Sequence, residues 1–203
     1  VEVSLHTFIL TAVKVLGYVL IILIIVSVLG FNSSSFLAVL ASLGLAIGMA
    51  LSGTLQNFAG GIILLLLRPY RIGDYISAQG QSGTVKAIGL FSTQLSTPDN
   101  RIIYVPNSAI SSSIVDNYSQ PTTRRVDWRV SISYGDDVDV ARKEILAMLT
   151  EDKRVLNEPT EPMVVLSELA DSAVILTVRA WVANQDYWTL YWEINERIYK
   201  ELP

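Results

Sequence analysis

Leu40-Ala41-Ser42-Leu43-Gly44-Leu45-Ala46-Ile47-Gly48-Met49-Ala50-Leu51-Ser52 lies inside an uncharged stretch that runs from Phe36 to Leu67. Wound as an α-helix, it sorts into ridges of i, i+4 spacing. One ridge is Leu37, Ala41, Leu45 and Met49. Ala38, Ser42, Ala46 and Ala50 border it on one side, and Leu40, Gly44, Gly48 and Ser52 on the other. The opposite face carries Val39, Leu43, Ile47 and Leu51. In lipid a helix gains little by burying apolar side chains, and helices associate where small residues let backbones approach closely. A dimer needs one small-residue face. Two such flanks suit a helix with a neighbour on each side, and repetition of that contact about an axis closes a ring. The ring would turn Leu45 and Met49 to its centre and Ile47 and Leu51 outward. Leu and Met side chains around a narrow lumen form a hydrophobic constriction that blocks ions by dewetting. The competing reading is an ordinary packed helix pair, which Gly-x-x-x-Gly serves as well.

Working outward, no charged side chain occurs between Lys14 and Arg68. One polar break, Gly30-Phe31-Asn32-Ser33-Ser34-Ser35, divides that span. A bilayer core takes roughly 20 apolar residues per helix, so the span reads as two membrane passes joined by a short turn. Residues 1–30 hold the first, from Leu5 to Leu29, with Lys14 placed to snorkel to the interface. Residues 36–67 are too long for one straight pass: their length of roughly 48 Å exceeds a hydrocarbon core of about 30 Å. A kink is expected at Ser52-Gly53-Thr54, because Gly weakens a helix and Gly/Ser pairs are common kink sites. Beyond it, Leu55, Phe58, Ile62, Ile63 and Leu66 suit a helix lying along the interface or on the following domain. The positive-inside rule puts Arg68 and Arg71, as interfacial anchors, on the cytoplasmic side with everything after them, and Lys14 falls on the same side.

The rest of the chain carries all but one of the 15 basic and all but one of the 19 acidic residues. From Tyr70 to about Tyr118 it reads as short strands and turns, with a turn over Gly80-Gln81-Ser82-Gly83 and another at Pro98-Asp99-Asn100, a spacing that suggests a small barrel. From Val126 the pattern changes to strand, helix, strand, strand, helix: Val126 to Tyr134, a helix after Asp136-Asp137, Met163 to Leu169, Ala173 to Val182, and Asp186 to Leu202. That β-α-β-β-α order is a split βαβ unit lacking its last strand. With Val1 in place of an initiator methionine, it points to a piece of a longer chain.

Three stretches together resemble the small-conductance mechanosensitive channel (MscS-like) family over nearly the whole chain. They are Gly44 to Gly53; Asn57-Phe58-Ala59-Gly60-Gly61 with Arg68-Pro69-Tyr70-Arg71-Ile72-Gly73-Asp74; and Gly83-Thr84-Val85 with Thr97-Pro98-Asp99-Asn100 and Val105-Pro106-Asn107. The resemblance implies a membrane α-helical part, an Sm-like β domain over 68–122 and a ferredoxin-like α/β domain over 123–203. It also implies a cyclic homo-oligomer, a heptamer in the family, in the bacterial cytoplasmic membrane, with its soluble domains in the cytoplasm. Membrane lipids would be its partners, and ions and small solutes its permeants on hypo-osmotic shock. On the matching positions Leu45 and Met49 become constriction rings. Gly44, Ala46, Gly48 and Ala50 become the helix-packing contacts that gating slides, Gly53 the kink, and Asn57 a contact between the lower helix and the β domain. Met49 stands where leucine is common in the family, and Ser52 where a longer polar residue often precedes the kink glycine.

Other function classes fare worse. The only histidine is His6 and there is no cysteine; no nucleophile elbow or phosphate loop is present, so no catalytic residue, metal site or cofactor is assigned. Arg124-Arg125 could suggest nucleic acid, but the part after Leu67 is net acidic and has no basic stripe. Asp136, Asp137 and Asp139 read as a solvated turn and helix N-terminus, and Trp181, Trp188 and Trp192 as core or subunit-interface packing. A transporter should show paired inverted segments with polar midplane groups, and a non-conducting scaffold would not need Gly on both flanks; these remain the alternatives to a channel.

Overall fold

The computed structural model describes residues 3–29 and 34–202, so most of the expected turn over Gly30–Ser35 lies outside the described residues. Contacts divide the chain into two compact units that meet between Gln56 and Asn57.

The first unit is helical. Helix α1 spans Val3–Val28 and α2 spans Ser34–Ala50. The stretch His6–Val28 is long and apolar enough to cross a membrane, and α2 with α3 (Ser52–Leu67) passes the same test only when the two are taken together. The helix breaks at Leu51 with a bend of 61°. Ordinary helical hydrogen bonds flank the break, from Leu51 N–H to the Ile47 carbonyl (2.9 Å) and from Leu55 N–H to the Leu51 carbonyl (3.0 Å). Gly53 therefore sits in the first turn of α3 and not at the break itself. A Cβ added to Gly53 would meet nothing within 4 Å in this chain, so no intrachain crowding calls for the glycine.

In the second unit five short strands follow α3: β1 Tyr75–Ala78, β2 Gln81–Ile88, β3 Ser92–Ser96, β4 Ile102–Pro106 and β5 Val115–Asn117, with helix α4 (Asn107–Ser111) between the last two. They form one antiparallel sheet in the order β4-β3-β2-β1-β5. The β1–β2 turn is Gln79-Gly80, with φ of 53° and 70°. The expected turn over Gly80 to Gly83 is thus corrected. Two successive left-handed residues match the twist of a two-residue hairpin, and Gln81 to Gly83 continue into β2. Gly83 is needed for a different reason: a Cβ there would lie 2.8 Å from the Ser96 carbonyl oxygen on β3. The Pro98-Asp99-Asn100 turn is present, with Asn100 at φ 63° and the Thr97 hydroxyl accepting from Arg101 N–H. The core beneath comprises Leu64, Tyr70, Ile76, Ala78, Val85, Leu95, Val105 and Ile110.

The remaining elements are β6 Thr123–Ile132, α5 Val138–Glu151, β7 Val155–Leu156, β8 Met163–Leu169, β9 Val174–Ala183 and α6 Tyr187–Glu201. Strand β9 is central. It pairs with β6 from Thr123↔Ala183 to Ile132↔Val174, and on its other edge with β8 and then β7. The alternation in β6 buries Val126, Trp128, Val130 and Ile132 against Ile145 and Leu149 of α5 and Leu190 and Ile194 of α6. Asp137 caps α5, its carboxylate accepting from Asp139 and Val140 N–H, while Asp136 accepts from Ser133 N–H. Of the two readings left open for the tryptophans, core or subunit interface, the core is excluded for two of them. Trp188 and Trp192 are more than half exposed and lie outside this core, whereas Trp128 is buried in it. Position on α6 decides this: Leu190 and Ile194 occupy the inward face of the helix.

Candidate functional site

Helix α2 carries the residues singled out for a pore. Leu45 is 65% exposed and Met49 63%. Ala46 and Ala50 are exposed as well, and a Cβ built on Gly44 or Gly48 would meet nothing within 4 Å. Ser42 in the small-residue flank bonds back to the Ala38 carbonyl (2.9 Å), so its hydroxyl is satisfied within the helix. Neither small flank of α2 is packed against another part of the described chain, and for a helix this apolar that is an unfilled surface.

Helix α3 is the reverse case. Asn57, Gly60, Gly61 and Leu64 recur at three- and four-residue spacing and face the β domain. The Asn57 side-chain oxygen accepts from the Ser108 amide (3.0 Å) and hydroxyl (2.8 Å). A Cβ on Gly60 would lie 2.8 Å from Asn107 C and Ser108 N, and one on Gly61 would lie 2.7 Å from Asn107 Nδ2 and 2.8 Å from the Leu90 carbonyl. Glycine is what lets the helix touch the start of α4. Below it, Asn107 is fully buried. Its Nδ2 donates to the Gly89 carbonyl (2.9 Å), and its Oδ1 accepts from the Thr93 hydroxyl (2.9 Å), itself 3.1 Å from the Tyr70 hydroxyl. Burial pushes the Tyr70 phenol above its ordinary range, with the Thr93 contact opposing, so Tyr70 stays neutral. Asn107, Thr93 and Tyr70 were not picked out by sequence reasoning as site residues. Their only signals were the Val105-Pro106-Asn107 motif and the place of Tyr70 in Arg68-Pro69-Tyr70-Arg71, since a buried hydrogen-bond chain leaves no periodic trace.

At the end of α3, Arg68 adopts a left-handed conformation (φ 50°), and its Nε contacts the Leu65 carbonyl (3.3 Å). Both Arg68 and Arg71 are exposed. Asp74 accepts from the Arg71 backbone amide and from Asn117 Nδ2. No group of three His, Cys, Asp or Glu side chains is placed to hold a metal among the described residues.

Three family models match the chain in succession. The mechanosensitive ion channel transmembrane helices 2/3 model covers residues 11–52, the mechanosensitive ion channel beta-domain model 53–120, and the mechanosensitive ion channel MscS C-terminal model 126–202. A small-conductance mechanosensitive channel of Helicobacter pylori is 31% identical over 96% of this chain and 71% of its own length. The chain belongs to the MscS family. Among solved structures, Helicobacter pylori MscS in its closed state matches this MscS-family chain with a TM-score of 0.90 at 28% identity, covering 99% of this chain and 79% of that one. An uncharacterized MscS family protein of Buchnera aphidicola is 39% identical over 86% of this chain, which spans only 57% of that relative. The first boundary between family models, at residues 52 and 53, falls beside the break at Leu51.

Proposed function

We propose that this MscS-family chain is the subunit of a tension-gated ion channel, a cyclic homo-oligomer in the bacterial cytoplasmic membrane. Seven subunits is the number carried over from the family, as are the Sm-like reading of the β domain, the ferredoxin-like reading of the α/β domain and their cytoplasmic location. The observation that carries the reading is the state of α2: two small-residue flanks with nothing against them, bordering a ridge that exposes Leu45 and Met49. Neighbouring copies of α2 on Gly44, Ala46, Gly48 and Ala50 fill those flanks and place Leu45 and Met49 around a common axis as a dry constriction. Bilayer tension favours the state of larger in-plane area. The helices then tilt and slide on their small ridges, and the break at Leu51 with Gly53 beside it lets α2 move while α3 keeps its hold on the β domain through Asn57. Arg68 and Arg71 anchor the end of α3 at the lipid interface. Ions and small solutes leave through the open pore on hypo-osmotic shock.

The test is patch-clamp recording of the purified protein in liposomes under stepped suction. Discrete openings only above a threshold support the channel. Silence up to membrane rupture, from this chain and from a longer chain containing it, would leave the non-conducting scaffold.

A further inference from the structure

Between the β sheet and the α/β domain the chain runs through Tyr118-Ser119-Gln120-Pro121-Thr122, a composition typical of a flexible linker. The structure ties this segment down from both ends. On the β-domain side, Tyr118 N–H donates to the Tyr75 carbonyl, Tyr75 N–H donates to the Ser119 hydroxyl, and Asn117 Oδ1 accepts from both Ser119 and Gln120 N–H. On the other side, Asn184 donates from its side chain to the Tyr118 carbonyl and from its backbone to the Thr122 carbonyl. Through the middle passes Arg124. Its guanidinium carbon lies 3.8 Å from the ring centroid of Tyr187, at the start of α6, and 4.9 Å from that of Tyr118. Neighbouring Arg125 pairs with Asp127. No ion pair of Arg124 occurs among the described residues, so its charge is held by the two ring faces. The ties extend to the exit of α3, since Asn117 Nδ2 also donates to the Pro69 carbonyl and to Asp74.

We propose that Arg124, clasped between Tyr118 and Tyr187, is the pin of a rigid joint that makes the β domain and the α/β domain turn as one body. Arg124 acts through the two rings and is a positioning residue. A planar cation between two aromatic faces restrains rotation about the linker without a carboxylate whose protonation would loosen it. Displacement of the α3 exit then carries the α/β domain with it and is not absorbed at residues 118–122. The joint stands or falls independently of the pore reading.

Hydrogen–deuterium exchange on the full chain in lipid nanodiscs tests it. Arg124→Ala and Tyr187→Leu should each speed exchange at the Tyr118, Ser119, Gln120 and Asn184 amides by about two- to thirtyfold, the range expected for losing one guanidinium–ring contact. Tyr187→Phe, which keeps the ring face, should leave them unchanged, and amides of the β6–β9 ladder should be unaffected in all three. Unchanged linker exchange in Arg124→Ala overturns the joint. So does a matching loss of protection across β6–β9, which would mean simple destabilisation, or a Tyr187→Phe that behaves like Tyr187→Leu. A second readout uses the absence of native cysteine. Spin labels at Lys86→Cys and Glu144→Cys, in labelled chains diluted with unlabelled ones, should report one narrow distance that broadens with Arg124→Ala. A broad distribution in the parent chain refutes the proposal.

Discussion

At Gly60 and Gly61 a single hydrogen replaces what would be a collision. An alanine Cβ at Gly60 would sit 2.8 Å from backbone atoms of Asn107 and Ser108, which cannot step aside as a flexible side chain would. Gly60→Ala should therefore destabilise the β domain by about 1–3 kcal/mol, the usual cost of overpacking, read as a lower thermal midpoint of the purified protein. Asn107→Ala should do comparable damage differently, by leaving the Gly89 carbonyl and the Thr93 hydroxyl short of a partner at about 1–3 kcal/mol per buried orphan. Leu45 belongs to another regime: exposed in the chain, it contributes little to the subunit's own stability. Leu45→Ser should leave the melting of the β and α/β domains unchanged and wet the proposed constriction, giving channels open at rest and slow growth on expression. A normal growth curve with no resting conductance would remove Leu45 from the pore.

At the scale of elements, α2 and the α5–α6 pair make contrasting predictions. Because nothing in the chain lies within 4 Å of a Cβ at Gly48, Gly48→Leu should fold normally. Its effect should appear only between subunits, as a higher suction threshold for opening, and an unchanged threshold would count against sliding on the glycine flank. Helices α5 and α6 are stapled by two arginines. Arg154 grips Asp152 (2.6 Å) and also Glu193 on α6, while Arg197 reaches from α6 to the Met148 carbonyl (3.2 Å) and Glu151 (3.1 Å). Hydrogen bonding from Arg154 holds the Asp152 carboxyl below its usual range. A depressed folded-state pKa contributes stability that is full above the unfolded value of about 3.9 and fades as pH falls through the lower folded value. Asp152→Asn should accordingly lower the thermal midpoint at neutral pH, and the gap to the parent should close in strong acid.

For the whole molecule, the proposed ring places identical neighbours on the small-residue flanks of α2. Cross-linking or mass measurement in detergent should give a single closed oligomer, seven subunits on the family reading, and a monomer that conducts under suction would contradict the ring. Much of the architecture was legible beforehand because its signals are local. The uncharged run between Lys14 and Arg68 marks α1 to α3, the alternation from Val126 marks β6, and the apolar spacing after Asp137 marks α5. What was missed or misplaced depends on approach between distant segments. The turn moved from Gly80–Gly83 to Gln79-Gly80 because Gly83 serves a neighbouring strand, and the choice between core and subunit interface for Trp188 and Trp192 could be narrowed only by seeing Leu190 and Ile194 occupy the inner face of α6.

The sequence by itself thus determined the apolar helices, the small-residue ridges of α2 and the alternation of the buried strands, since periodicity and charge are properties of consecutive residues. Only the tertiary structure decided that Asn57 meets Ser108, 51 positions away, that Asn107 and Thr93 hold Tyr70 from inside the core, and that Arg124 lies between Tyr118 and Tyr187. Those contacts arise from burial and hydrogen-bond satisfaction between segments far apart in the chain, which no local pattern encodes.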